Sequence, residues 1–316
     1  MRAVSIVIPN YNGKHFLKDC LEAVFAQDIK DQEVIVVDNG STDGSLEYLQ
    51  TFPGVRVIVL DKNYGFCRAV NEGIKAAESE YVILLNNDTE VDKGFAAELL
   101  AAIKEDEKIF SCSSKMIQFH NRELMDDAGD YYCALGWAFG RGKGDSVEKY
   151  QDSKDIFAAC AGAAIYRKKM LESLGYFDEK HFAYLEDIDI GYRARIHGYR
   201  NVFAPKAIVY HVGSGFSGST HNAFKVKLSS RNNVYLAYKN MPFLQIILNI
   251  PFLLLGHGIK WLFFLKKGLG KEYAMGLREG FVLCKEGKKV RFLWKNLPNY
   301  GVIQLELWLN MIRRLI

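Results

Sequence analysis

AVSIVIPNYNGKHFLKDCLEAVFAQDIKDQEVIVVDNGS, residues 3–41, decides the fold class. It opens on a short, β-branched run from Ala3 to Pro9. Phe16, Leu17, Cys20, Leu21, Val24 and Phe25 then share one face of a helix over 15–27, and EVIVVD (33–38) reads as a second buried strand. Working outward, the rhythm continues with a short helix at LEYLQ, strand VRVIVL (55–60), helix FCRAVNEGIKAAE (66–78), strand YVILLN (81–86) and helix KGFAAELLAAIKED (93–106). Such alternation predicts an α/β architecture with a largely parallel central sheet covered by helices on both faces. Ligands of such sheets bind beyond the carboxyl ends of the strands. Asn10-Tyr11-Asn12, Asp38-Asn39, Asp61-Lys62-Asn63 and Asn86-Asn87-Asp88 stand there.

Residues 119–157 lose the rhythm, carry scattered glycines among mixed charges, and read as a long excursion over one face. Order returns as strand then helix in IFAACAGAAIYRKKMLESLG (156–175), a helix over 186–198 closed by Gly198, and extended segments around Pro205 in 201–213. The character changes again after residue 224. Residues 225–316 hold 16 Lys/Arg against 4 Asp/Glu, and residues 1–224 hold 25 against 33, so a basic tail of +12 follows an acidic body of −8. A basic tail predicts an anionic partner. Asn240 to Ile259 carries no formal charge, and WLFFL follows Lys260. Gln245, Asn249, Pro251, Gly256, His257 and Gly258 interrupt the run. Broken apolar helices, basic clusters and Trp261, Trp294 and Trp308 predict segments lying in the interface of an anionic membrane; a true span and a helical cap are the alternatives. The tail is too apolar for a nucleic-acid module. Six cysteines without a CxxC pair fit a reducing cytoplasm, and MRAVSIVIPNYNG reads as a first strand rather than a signal peptide.

Three acidic groups carry the chemistry. Asp38 ends a buried strand at the ligand edge, where a carboxylate accepts from a base N–H or a ribose hydroxyl; Asp43 serves equally well as a turn or helix cap. Asp88, backed by Asn86 and Asn87, offers a hard oxygen to Mg²⁺ or Mn²⁺, whose other positions a nucleoside diphosphate and water would fill. In Glu186-Asp187-Ile188-Asp189, Glu186 and Asp189 share a helix face whereas Asp187 and Asp189 do not. The aromatic HFAYL before them walls a pocket, so a carboxylate there fits a general base. An acidic helix N-terminus stabilised by the macrodipole is the plainer explanation. Other patterns fail. The GxGxxG at 213–218 lacks the acid that a dinucleotide site needs about 20 residues on. No phosphate-binding GxxxxGK[ST], zinc-binding HExxH or GxSxG elbow is present.

SIVIPNYNG (5–13), VIVVDNGSTDGS (34–45), NYGFCRAVNEG (63–73), YVILLNNDTEV (81–91), AGAAIYRKKMLESLGYFDE (161–179) and LEDIDIGYR (185–193) occur in this order. Together they resemble the family-2 inverting glycosyltransferases of the GT-A fold, most closely the bacterial rhamnosyltransferase-like branch, over about residues 3–215. The resemblance implies a Rossmann-like, mostly parallel sheet in a catalytic domain; with the change of character after residue 224, the expected domains are that catalytic domain over 1–224 and a basic, apolar, membrane-associating helical region over 225–316. It implies that Asp38 contacts the nucleotide base, that Pro9, Tyr11, Asn63, Gly65 and Phe66 line the nucleotide pocket, and that Asn87 and Asp88 match the DXD motif, with Asn86 where its first Asp often stands. Metal binding then leans on Asp88, helped by His211 after the last core strand. Asp187 matches the catalytic base, with Glu186 beside it in the substrate site. The implied reaction moves one sugar from a nucleotide-sugar donor, dTDP-rhamnose or a UDP-sugar, to a glycan or polyprenyl-diphosphate-linked acceptor. It would use Mg²⁺ or Mn²⁺ at the cytoplasmic face of the plasma membrane. A polyprenyl-phosphate glycosyltransferase and an inactive membrane-bound scaffold are the rivals. The QxxRW motif of processive synthases is absent.

Overall fold

The computed structural model describes residues 2–213 and 221–315; beyond Gly213, the glycine pattern at 213–218 lies outside them. β1 (Val4–Asn10), α1 (Lys14–Phe25), β2 (Gln32–Asp38), α2 (Ser45–Thr51), β3 (Val55–Val59), α3 (Phe66–Ala76) and β4 (Tyr81–Leu85) follow the expected alternation. β5 (Thr89–Val91), α4 (Phe95–Lys104) and β6 (Ile109–Gln118) come next. The sheet runs β3-β2-β1-β4, then β11 (Ala163–Arg167), β6, β12 (Arg200–His211) and β10 (Lys154–Ile156) at the far edge. Between β3 and β12 only β11 runs against its neighbours, so the central sheet is mostly parallel.

Alternation within each strand divides the core in two. Ile6 and Ile8 pack with Leu17 and Leu21 of α1 and Phe95 and Leu99 of α4 on one face, whereas Val7 and Ile35 pack with Val70 and Ile74 of α3 on the other. The β1–β2 register sets Asn10 opposite Asp38, which brings both strand ends level. The β12–β6 register shifts between Ala204 and Ile208, around Pro205, whose missing N–H cannot continue the ladder.

The stretch read as an irregular excursion is built of short strands. β7 (Asn121–Asp127) pairs with β6, and β8 (Asp130–Cys133) and β9 (Trp137–Gly140) form a separate two-stranded ribbon. Strands this brief, broken at glycines, leave no readable period.

After α5 (Lys168–Leu174) and α6 (Glu186–Ile196), four helices complete the chain: α7 (Ala223–Asn240), α8 (Phe243–Lys266), α9 (Gly270–Glu286) and α10 (Leu297–Leu315). α8 corrects the expectation of broken helices, for it runs unbroken through an exposed Pro251. Its interruptions have another use. Gln245, Asn249 and Gly256 are its buried residues. Gln245 accepts from the Tyr192 hydroxyl at 2.8 Å, Asn249 donates to Gln304 of α10 at 2.8 Å, and the Gly256 carbonyl accepts from the Trp137 indole at 3.1 Å. A Cβ on Gly256 would lie 2.0 Å from the Leu135 carbonyl, so only glycine fits there. The apolar residues point outward: Phe243 is 77% exposed and Leu254 69%, and Val302, Leu305, Leu309 and Ile312 continue that face along α10.

α7 joins α6 through buried charge. Asp189 is fully buried and accepts from Arg193 at 2.6 Å, from Lys239 at 2.8 Å and from Asn240 at 2.8 Å. Burial alone would raise its carboxyl, but the Arg193 and Lys239 charges dominate and hold it far below the ordinary carboxylate range. Removing one member of a buried pair strands the others at a cost of about 3–5 kcal/mol. Asp189→Asn is therefore expected to lower unfolding stability by about that amount in urea titration. A loss under about 1 kcal/mol would show that Arg193 and Lys239 find other partners.

Candidate active site

A cavity of about 360 Å³ opens past the carboxyl ends of β1 and β4. Pro9, Tyr11, Asn63, Gly65, Phe66, Asn87, Asp88, Glu186, Asp187 and His211 all line it. Asp38 is the exception among the residues assigned to the nucleotide, metal and base positions. It is 1% exposed, stands behind the cavity wall, and accepts from the Asn10 side chain at 3.0 Å and the Ser41 amide at 3.1 Å. In this structure Asp38 braces the wall. Asn10 transmits the bracing, because its carbonyl oxygen accepts from Asn87 at 2.7 Å. Asp43 caps as its plainer reading expects, accepting from the Lys14 and Ser45 amides at 2.9 and 3.0 Å.

Asn39, one of the strand-end residues expected at the ligand edge, lines the cavity. Its amide donates to the Asn63 side chain and the Gly65 carbonyl, both at 3.1 Å, and its oxygen accepts from the Tyr64 N–H at 2.9 Å. Gly65 has φ +88° and packs against Phe182, where a Cβ would come within 2.6 Å.

Asp88 and His211 face each other across the cavity, with Asp88 Oδ1 3.4 Å from His211 Nε2. The β5–β12 pairing of Thr89 with His211 sets this approach. On its other side His211 Nδ1 meets Asp126 Oδ2 at 2.7 Å, and Asp126 also accepts from Lys143 at 2.8 Å. Burial opposes the imidazolium, but the hydrogen bonds to Asp126 and Asp88 prevail and raise the His211 pKa to about 9. Once a divalent cation displaced the Nε2 proton, the Asp88 carboxylate and the neutral His211 ring would fit two neighbouring ligand positions of that cation, with Asp126 fixing the ring's orientation.

Asp187 sits in the first turn of α6, where the helix dipole favours negative charge, and its carboxylate accepts from the Ile188 N–H at 2.7 Å. Asp130, at the start of β8, hydrogen-bonds to Asp187. Two carboxyl groups in hydrogen-bond contact hold one proton between them. Burial raises Asp187, opposed by the hydrogen bonds from Ile188 and Asp130. Burial and the charges of Asp127 and Asp187 raise Asp130 much further. Asp130 is therefore the protonated partner and Asp187 the ionised one. Glu186 is raised by burial and by Asp187, and its Oε2 has no hydrogen-bond partner among the described residues. Asp127, Asp130 and Cys160 also bring ligand-type atoms within 4.8 Å of one another, but the Cys160 thiol is pushed far up by burial and the hydrogen bond to Asp187 already engages Asp130. Asp189, matched with Glu186 by helix periodicity, turns away into the ion cluster beneath α7.

The turn before α6 is strained. Phe182, Tyr184 and Leu185 all have φ between 64° and 69°, a conformation costly for side-chain-bearing residues. Asn232 of α7 holds it, donating to the His181, Ala183 and Tyr184 carbonyls at 2.8–2.9 Å, and Arg231 donates to the Lys180 and His181 carbonyls. Asn232→Ala would leave buried carbonyls unpaired, a loss of about 1–3 kcal/mol. The expected result is that lower stability and faster proteolysis near 181–185. Unchanged protection of that turn in hydrogen exchange would show that the remaining contacts suffice.

The comparisons agree with this geometry. The profile of glycosyl transferase family 2 matches residues 5–175. A poly-beta-1,6-N-acetyl-D-glucosamine synthase of Staphylococcus epidermidis is 22% identical over 216 residues, covering 66% of this chain and 50% of that protein. The chain thus spans about half the length of that curated relative. Among solved structures, GalNAc-T7 with UDP, GalNAc and Mn²⁺ superposes with a TM-score of 0.61 at 19% identity, covering 74% of this chain and 47% of that one. The mannosyltransferase PcManGT from Pyrobaculum calidifontis, in complex with GDP-Man and Mn²⁺, gives 0.53 at 16% identity, covering 96% and 88%. At these identities the structural likenesses establish the fold, a GT-A-like arrangement.

Proposed function

From the premise that the chain belongs to glycosyl transferase family 2, we propose that it transfers a single sugar, with inversion, from a nucleotide-diphosphate sugar to an acceptor hydroxyl in cell-surface polysaccharide synthesis. The carrying observation is that Asp187, at a helix N-terminus and hydrogen-bonded to Asp130, shares one cavity with the Asp88–His211 pair. The nucleotide would lie against Pro9, Tyr11 and the Asn63–Phe66 segment, with the diphosphate toward Asp88. Asp88 and His211 would hold Mg²⁺ or Mn²⁺, which when bound offsets charge on the diphosphate leaving group. UDP and GDP-Man with Mn²⁺ in the two structural neighbours support that reading.

Asp187 would accept the proton of the attacking hydroxyl, and that oxygen would reach the anomeric carbon from the face opposite the leaving group. Glu186, with one oxygen free, would hold a second hydroxyl of donor or acceptor. Because burial raises the Asp187 carboxyl, the ionised base gains population as pH rises, and kcat should climb along a limb above the ordinary carboxylate range. Asp187→Asn is expected to keep nucleotide binding, lose that limb and lower kcat at least ~10²-fold. The assay is a panel of dTDP-rhamnose and UDP-sugars with Mg²⁺ or Mn²⁺, first by thermal shift and then by turnover. Lost donor affinity at unchanged kcat would reassign Asp187 to binding, and full turnover in excess chelator would reject the cation.

We also propose that the outward face of α8 and α10 rests on the cytoplasmic leaflet of the plasma membrane. α8 is long and apolar enough to cross a bilayer, yet its polar side is packed on the body, which supports lying in the interface rather than spanning. Each Lys or Arg near anionic lipid adds ~1 kcal/mol to apolar insertion. Full-length protein should float with anionic liposomes and resist stripping by high salt. Failure to float with either anionic or neutral liposomes would make this face a contact between protein chains.

A further inference from the structure

A second cleft, of about 610 Å³, lies between the β8–β9 ribbon and α8. Tyr184 and Lys225 line both this cleft and the donor cavity, so the two adjoin. Leu185, immediately before Glu186-Asp187, lines it as well. At its other end Ile259 and Phe263 belong both to the cleft wall and to the exposed apolar face of α8. The cleft therefore runs from the rim of the donor cavity, beside Leu185, to the exposed apolar face of α8.

Its charge is one-sided. Lys260 projects over the Trp137 ring at 5.7 Å, and the Arg314 guanidinium over the Phe139 ring at 5.6 Å. Among the described residues neither forms an ion pair with a carboxylate, and the cleft lining holds no acidic side chain. The two also act on each other. Burial, with a contribution from the Arg314 charge, lowers the Lys260 pKa to about 8. Two neighbouring cations, one of them partly buried on an aromatic ring and both unpaired among the described residues, form a site that a bound anion would complete.

Resting on the glycosyl-transfer reading above, we propose that this cleft is the acceptor's phosphate site. Lys260 and Arg314 would bind the phosphate or diphosphate of a lipid-borne acceptor, its apolar chain leaving over Ile259 and Phe263 and its hydroxyl-bearing end passing Tyr184 toward Asp187. Phosphate on an apolar chain is the shared demand of both ends, since the cations require the anion and the exposed face requires the chain. A patch attracting anionic lipid in general would not need a cleft that continues to the catalytic acids.

The probe is farnesyl diphosphate in neutral detergent micelles, with farnesol, inorganic pyrophosphate and phosphatidylglycerol as the other arms, read by isothermal titration against the full chain. Saturable binding of farnesyl diphosphate is expected, with at least ~10-fold weaker binding of farnesol and of pyrophosphate. Lys260→Gln with Arg314→Gln should weaken it at least ~10-fold, and Lys260→Arg should retain most of it. The conservative variant separates a lost charge from a misfolded helix. Equal binding of phosphatidylglycerol would overturn the proposal in favour of a general anionic-lipid patch. Equal binding of pyrophosphate would overturn the lipid part, and an unaffected double variant would overturn the site itself. Donor turnover by the wild-type chain is measured separately. Its absence would count against glycosyl transfer, whereas the titration alone decides the phosphate site.

Discussion

The turn from His181 to Leu185 is the constraint on which the site depends. Three of its residues stand in the left-handed region, a conformation that costs of order 1–3 kcal/mol for each residue with a side chain. That cost brings Phe182 against Gly65 and sets Glu186 and Asp187 at the helix start, on the cavity wall. Within the turn the Ala183 N–H donates to the His181 carbonyl at 2.8 Å, and from α3 the Cys67 N–H donates to the Phe182 carbonyl at 3.2 Å; α7 adds the side-chain restraint. Asn232 gathers three of its carbonyls, and one turn or two further along the same helix Lys239 and Asn240 close on Asp189. α7 thus grips both the turn and the helix that follows it. Anchorage at two levels restrains α6 against sliding relative to the strand ends, which on the proposed reading is what a positioned base requires.

The acids around the cavity are sorted by their partners. Asp189 meets two cations and stays ionised where no ligand reaches. Asp88 and Asp126 flank one imidazole. Asp127, Asp130, Glu186 and Asp187 have almost no cations among them, so burial and mutual repulsion favour protons on some members. The α6 dipole and the Ile188 N–H single out Asp187 as the member that keeps its charge. On the proposed reading this division separates a structural acid, Asp189, from a cation-binding acid, Asp88, and a proton acceptor, Asp187.

The order of the elements was legible because strand and helix periods are local properties. Each of the expected elements up to Lys104 is present within a few residues of its expected ends. The strand ends were legible for the same reason, and with them most of the cavity lining. Three things were not. Asp126 and Asp130 lie in DDAGD, where the polar β7 ends and the four-residue β8 begins, and acquire meaning only when these strands fold back on His211 and Asp187. Asn232 looks like any polar helix residue until its three carbonyl partners are in place. Asp38 was read as a ligand contact because it ends a buried strand at the ligand edge, whereas here Asn10 and Ser41 each donate to one of its oxygens behind the cavity wall.

α8 shows how one signal carries two opposite meanings. Gln245, Asn249 and Gly256 interrupt an apolar run, and along a sequence they resemble breaks. They recur at intervals of four and seven residues, which places them on one side of a helix. In a soluble helix that side would face water; here it faces the protein, and Tyr192, Gln304, Leu135 and Trp137 meet it. A helix whose polar side is satisfied by its own protein leaves its apolar side without a partner, an arrangement that water disfavours and a lipid surface does not. On the proposed reading this orientation also governs chemistry. The donor cavity takes a water-soluble nucleotide, while the second cleft opens beside the apolar face. Tyr184, shared by both, stands where a substrate from each phase would meet, and the strained turn that carries it leads directly to Asp187.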